Sequence, residues 1–138
     1  MELTVRDREY FYTRVEDTPG NAYASLAKLA REDVNLLAFS AVPFGPNHVE
    51  FTLFPDDTGH LLEAAKKLGW VLTGPQHALL IQGDDRLGAV AEIHRTLFDA
   101  GVSVFASSGV TDGRGHFGYV IYVREADHDA AAKVLAVK

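Results

Sequence analysis

Cysteine is absent from this chain, so disulfides, zinc–thiolate sites and cysteine nucleophiles are excluded. Long apolar runs are absent as well. No stretch approaches the roughly 18 residues of a membrane-spanning helix, and Met1-Glu2-Leu3-Thr4-Val5 has none of the make-up of a signal peptide. Basic runs are short, none longer than Lys66-Lys67. With 13 Lys and Arg against 19 Asp and Glu, the net charge is −6, which argues against a surface that tracks phosphates. The expectation is a soluble cytoplasmic protein with no nucleic-acid and no membrane partner.

What is present suits a packed core. The chain is 47% apolar and 23% charged, a globular balance, and its 138 residues allow one ordinary domain or two small ones. The pattern favours two. Asp17-Thr18-Pro19-Gly20 follows a β-rich run, Glu9–Val15, and precedes a helical pattern. Sixty-eight positions later Asp85-Arg86-Leu87-Gly88 does the same after Ala78-Leu79-Leu80-Ile81-Gln82. The spacing of 68 persists through Val34-Asn35-Leu36 and Val102-Ser103-Val104, and through His48 and His116 just after two hairpin turns. The last helices match at an offset of 69, with Ala130, Ala131, Val134 and Val137 falling on Leu61, Leu62, Ala65 and Leu68. A register kept this long is an internal repeat.

Each copy reads β-α-β-β-α. The first adds a short fourth strand at Trp70–Thr73, and Gly74-Pro75 then breaks the chain. The predicted helices span about 20–31, 57–68, 88–100 and 125–136. Thr18 is the expected N-cap of the first, and Gly69 the C′ residue of the second. Ala22, Leu26, Leu29 and Ala30 form the first apolar stripe; Val90, Ile93, Leu97 and Phe98 form that of the third helix. The expected fold class is α+β: two tandem ferredoxin-like βαββα(β) units, 1–74 and 75–138, each an antiparallel sheet with its helices on one face. The second copy ends without a fourth strand. The spare alternating segment Glu2–Arg6 is expected to cover the edge that this leaves open.

The two Asp-x-[Pro/Leu]-Gly loops, with Val-Asn-Leu or Val-Ser-Val downstream and the βαββα(β) order, resemble the ACT domain family over about residues 9–137. That family consists of small ligand-sensing modules of amino-acid metabolism. The resemblance implies a regulatory protein without catalytic activity or cofactor. It would bind an amino acid or related metabolite at a domain interface, pair as a homodimer and act on a regulated enzyme. It places binding positions at Asp17, Gly20 and Asn35 in the first copy, and at Asp85, Arg86, Leu87, Gly88 and Ser103 in the second. This sequence departs from the pattern at Leu87 and Ser103, and at Ala22 and Ser25, where larger apolar residues are usual. Chemically the loops suit such a ligand. A Gly at a helix start leaves backbone N–H groups open to a carboxylate, and a nearby Asp can accept from an ammonium. The plainer reading is that Asp caps and Gly turns the chain.

Other chemistries are less well supported. The six histidines include no His-x-x-x-His pair. No carboxylate is placed by sequence to complete a metal triad, and His128 reads as an exposed helix start. Ser40 and Ser107-Ser108 lack a His or Asp partner that sequence can place. The neighbouring acids Asp56-Asp57 and Asp84-Asp85 read as caps. Two alternatives stay open: a metal-dependent enzyme built on His77, Glu50 and His116, and a ligand-free interaction module.

Overall fold

The computed structural model of the chain describes residues 3–136; Glu2 and Val137, named above, lie outside the described residues. The elements run β1 (Leu3–Glu16), α1 (Asn21–Arg31), β2 (Leu36–Phe44), β3 (His48–Pro55), α2 (Thr58–Leu68), β4 (Thr73–Asp84), α3 (Ala89–Asp99), β5 (Val104–Thr111), β6 (His116–Val123) and α4 (Glu125–Val134). The fold is α+β, as expected. No helix among the described residues is long and apolar enough to cross a membrane.

The chain divides into two compact units, Glu9–Gln76 and Met1–Arg8 with His77–Lys138. This corrects the division at residue 74, because the N-terminal segment belongs with the second repeat. Trp70–Leu72 is not strand. β4 begins at Thr73 and runs through the cis Gly74–Pro75 bond to Asp84, so these two residues lie inside a strand.

In the first unit the strand order is β2-β3-β1-β4. β1 and β3 pair antiparallel, with Phe11 opposite Leu53 and Val15 opposite Val49. Its core holds Phe11, Leu29, Phe51, Leu53, Leu61 and Ala64. In the second unit the order is β1-β4-β6-β5, with Leu3–Arg8 in the fourth-strand position. Leu79 stands opposite Ile121 and Gly83 opposite Phe117. Val5 sits in a core with Leu79, Ile81, Ile93, Leu97, Ile121, Ala131 and Leu135. The N-terminal segment thus covers the edge that the second repeat leaves open, because burying Val5 and pairing the edge both favour it.

The helix faces needed correction. In α1 the buried residues are Ser25 and Leu29, while Ala22 and Ala30 are exposed. In α3 Ala89, Ile93 and Leu97 are buried, whereas Val90 and Phe98 are exposed. Leu62 is exposed in α2, where Leu61, Ala64 and Ala65 face inward. In α4 Ala131 is buried, as is Leu135 at its C-cap; the helix starts Thr58 and Glu125 stand 67 apart (125 − 58), so these two match Ala64 and Leu68, at an offset two smaller than the sequence pattern gave.

Gly69 ends α2 in the left-handed conformation, as expected. Asp57 starts that helix: its carboxylate accepts from the backbone N–H of His60 at 3.1 Å. Asp57→Ala should therefore cost about 1 kcal/mol, measured by chemical denaturation. Asp57→Asn should recover most of the loss, since its side-chain oxygen accepts the same bond.

Candidate functional site

The two Asp-x-x-Gly loops have the same backbone geometry. The Asp17 N–H donates to the carbonyl of Asn47, and the Asp85 N–H to that of Gly115, both at 2.8 Å. The Asn21 N–H donates to Thr18 and the Ala89 N–H to Arg86, both at 3.1 Å. Gly20 (φ 80°) and Gly88 (φ 84°) are the N-caps of α1 and α3, both left-handed, and neither helix start is capped by a side chain. Thr18 is therefore not the cap. Gly is required because its positive φ turns the chain into the helix at little cost. The first-turn N–H groups have no intrahelical partners in such a helix and carry the positive end of its dipole.

The surroundings of the two loops differ. In the second unit Asp85, Arg86, Leu87 and Gly88 line an open cavity of about 800 Å³ together with Ala89, Val90 and Ala91 of α3. Its other wall comes from β5 and β6: Gly109, Val110, Thr111, Phe117, Gly118 and Tyr119. Gly109 has no side chain because a Cβ there would stand 2.6 Å from the Tyr119 ring. A Cβ on Gly118 would meet nothing within 4 Å. The Tyr119 hydroxyl donates to Ser107 Oγ at 2.8 Å and stands 2.6 Å from His94 Nε2. Ser107 and His94 thus join through a tyrosine, a link that the sequence could not place. Leu87 is fully exposed. The Arg86 guanidinium donates to Glu92, whose carboxyl this bond holds below its ordinary value. The adjoining hairpin is fixed by Asp112, whose carboxylate accepts from the N–H groups of Arg114 and His116. Those two bonds hold it below the usual carboxylate value.

Asp17, Gly20 and Asn35 do not line this cavity, nor a second one of about 680 Å³ in the first unit bounded by Tyr12–Val15, Glu50 and Gly69–Val71 with Thr73. All three are exposed, and the Asn35 carbonyl accepts from the Asp56 N–H at 2.8 Å. Ser103 is exposed and outside the cavity lining. Of the eight candidate positions, four consecutive ones share a concave surface.

A second cluster escaped the sequence pattern. Asp7 of β1, His77 of β4 and His128 of α4 each offer a ligand atom within 4.8 Å of the others. This corrects two readings: a carboxylate does lie between two histidines, and the His128 side chain is only 12% exposed. Glu50 and His116, named with His77, are not part of the group. Burial pushes the Asp7 carboxyl up, but the two imidazoles beside it outweigh burial and leave it below the ordinary value. No local spacing could reveal residues 70 and 51 positions apart (77 − 7 and 128 − 77).

No protein-family model matches the chain. No match was found among curated proteins. Solved structures do match. A protein from Bacteroides thetaiotaomicron aligns with a TM-score of 0.80 at 18% identity, over 97% of this chain and 88% of that one. The aspartokinase alpha and beta subunits align at 0.63 and 20%, over 98% and 95%. The ligand-free regulatory subunit of aspartate kinase from Thermus thermophilus aligns at 0.65 and 15%, over 99% and 95%. At these identities the likeness is one of fold, and the tandem ferredoxin-like α+β fold expected from the repeat is the fold the chain has.

Proposed function

We propose that this chain is a regulatory protein of the ACT type that binds an amino acid or related metabolite and does no chemistry of its own. The observation that carries this is the uncapped start of α3 beside the 800 Å³ cavity of the second unit. An α-carboxylate fits the open N–H groups and the positive helix end. The apolar wall of Val90, Val110 and Phe117 suits a small side chain. The regulatory subunit of aspartate kinase that shares the fold supports the same reading. A homodimer and a regulated enzyme as partner complete it and rest on the resemblance; a cytoplasmic location rests on the make-up of the sequence.

A thermal-shift and calorimetric screen of the twenty amino acids tests the reading. At least one should bind with micromolar to millimolar Kd, about −8 to −4 kcal/mol. At about 100 times Kd it should stabilise the fold by roughly 2.7 kcal/mol. Val90→Trp, at an exposed position of α3 that lines the cavity, should abolish this shift and leave the fold intact. A screen in which no amino acid moves the melting temperature counts against the reading. Gly88→Val is a poorer probe, because φ 84° strains any L side chain whether or not ligand binds there.

A further inference from the structure

From the arrangement of Asp7, His77 and His128 we infer a binding site for one divalent transition-metal ion of the zinc class, held where β1, β4 and α4 of the second unit meet.

The fold aims all three side chains at one place. Strand residues two apart share a face, so Asp7 continues the face of buried Val5, and His77 that of buried Leu79 and Ile81. On α4, His128 lies three residues before buried Ala131 and seven before buried Leu135, on the same helical stripe. Each element thus extends its core face by one step into a metal-ligating residue. Apolar packing fixes the backbone that carries each of them.

The distances fit a shared ion. Asp7 Oδ1 stands 3.1 Å from His77 Nδ1, and Asp7 Oδ2 stands 3.0 Å from His128 Nε2. Two atoms bound tetrahedrally to one zinc at about 2.0–2.2 Å lie roughly 3.3–3.6 Å apart, so a few tenths of an ångström of side-chain adjustment admits the ion. The imidazoles lie with their centroids 5.5 Å apart, inclined at 60°. A hydrogen-bonded His–Asp–His chain explains less. Although Nε2 of His128 is close to Asp7, neither nitrogen of that ring has a hydrogen bond of acceptable geometry, and both are shut off from solvent. A buried imidazole without a well-formed hydrogen bond is costly, and coordination would satisfy one nitrogen. His77 and Asp7 are 49% and 37% exposed at their side chains, so water has access to the ion's remaining positions. Two imidazoles and one carboxylate select zinc-class ions over magnesium and calcium, which prefer oxygen alone.

The test uses the full chain without a histidine tag. Zn²⁺ is titrated against a chromogenic chelator, and the melting temperature is read in parallel. One Zn²⁺ should bind per chain and raise the melting temperature, while Mg²⁺ and Ca²⁺ at the same concentration leave it unchanged. His77→Ala, at the exposed ligand, should weaken binding more than about 100-fold, beyond the usual loss from an outer-shell partner, and retain the fold of the apoprotein. Asp7→Asn should weaken it as well. Should His128→Ala fail to fold, His77→Ala and Asp7→Asn still decide the matter. Absence of stoichiometric binding, or binding that survives His77→Ala and Asp7→Asn unchanged, overturns the site.

Discussion

Val5→Asp should cost the second unit more than about 4 kcal/mol, enough to remove most of the stability of a small domain. Val5 is 1% exposed and packs with Leu79, Ile81 and Leu97, with partly buried Leu3 against the same cluster. Two losses add. The valine's apolar burial is worth about 1.5–3 kcal/mol. The incoming carboxylate would sit against the apolar side chains of this cluster, so it must either stay charged at high cost or take up a proton. Val5→Ala, which only opens a small cavity, should cost about 2 kcal/mol. Hydrogen exchange localises the effect. Amides of β4, α3 and β6 should lose protection in Val5→Asp, and removal of residues 1–6 should reproduce the loss. Protection unchanged in both would mean that the N-terminal strand contributes nothing to this core.

That strand shows what could be read from the sequence and what could not. The repeat was legible because it is written into the backbone as well as the side chains. Phe11 opposite Leu53 and Leu79 opposite Ile121 are the same pair at a spacing of 68. Val34 N–H to Leu29 and Val102 N–H to Leu97 are the same bond at 3.0 and 2.9 Å. Asp33 and Gly101 share a positive φ at the matching turn. Alternation also marked Leu3 and Val5 as one face of a strand, and their burial follows from the open edge beside them.

Helix faces were less legible, because periodicity finds a stripe but not its centre. Phe98 lies next to buried Leu97, yet is 79% exposed. Ser25 is buried where a larger apolar residue was the natural choice. The candidate loop could be found because glycine at a helix start has a local cause. The cavity beside it could not, since Gly109 and Gly118 come from strands distant in sequence. The Asp7–His77–His128 cluster lay further out of reach, because each residue belongs to a different element and only the packed second unit brings them together.

Gly74 was read as a break in the chain, and its position in β4 leads to the opposite expectation for its replacement. Gly74→Ala should destabilise the first unit by about 3 kcal/mol or more. A Cβ there would stand 2.9 Å from Phe11 Cδ2 and 2.9 Å from the Tyr10 carbonyl oxygen. Phe11 is 1% exposed and Tyr10 3%, so the ring has no free space to move into, and the carbonyl is backbone. Overpacking of this kind costs typically 1–3 kcal/mol. The φ of 138° adds strain that only glycine escapes, on the order of 1–3 kcal/mol. A glycine inside a strand commonly marks such a close approach of backbone. For a unit of this size the loss corresponds to a fall in melting temperature on the order of 10 °C or more. Gly118→Ala is the matched control: it also lies in a strand, its φ is ordinary and its Cβ would meet nothing, so it should hold or slightly raise the melting temperature. If Gly74→Ala melts with the parent protein, the strand tolerates a side chain at this point, and the glycine is dispensable to the packing of Tyr10 and Phe11.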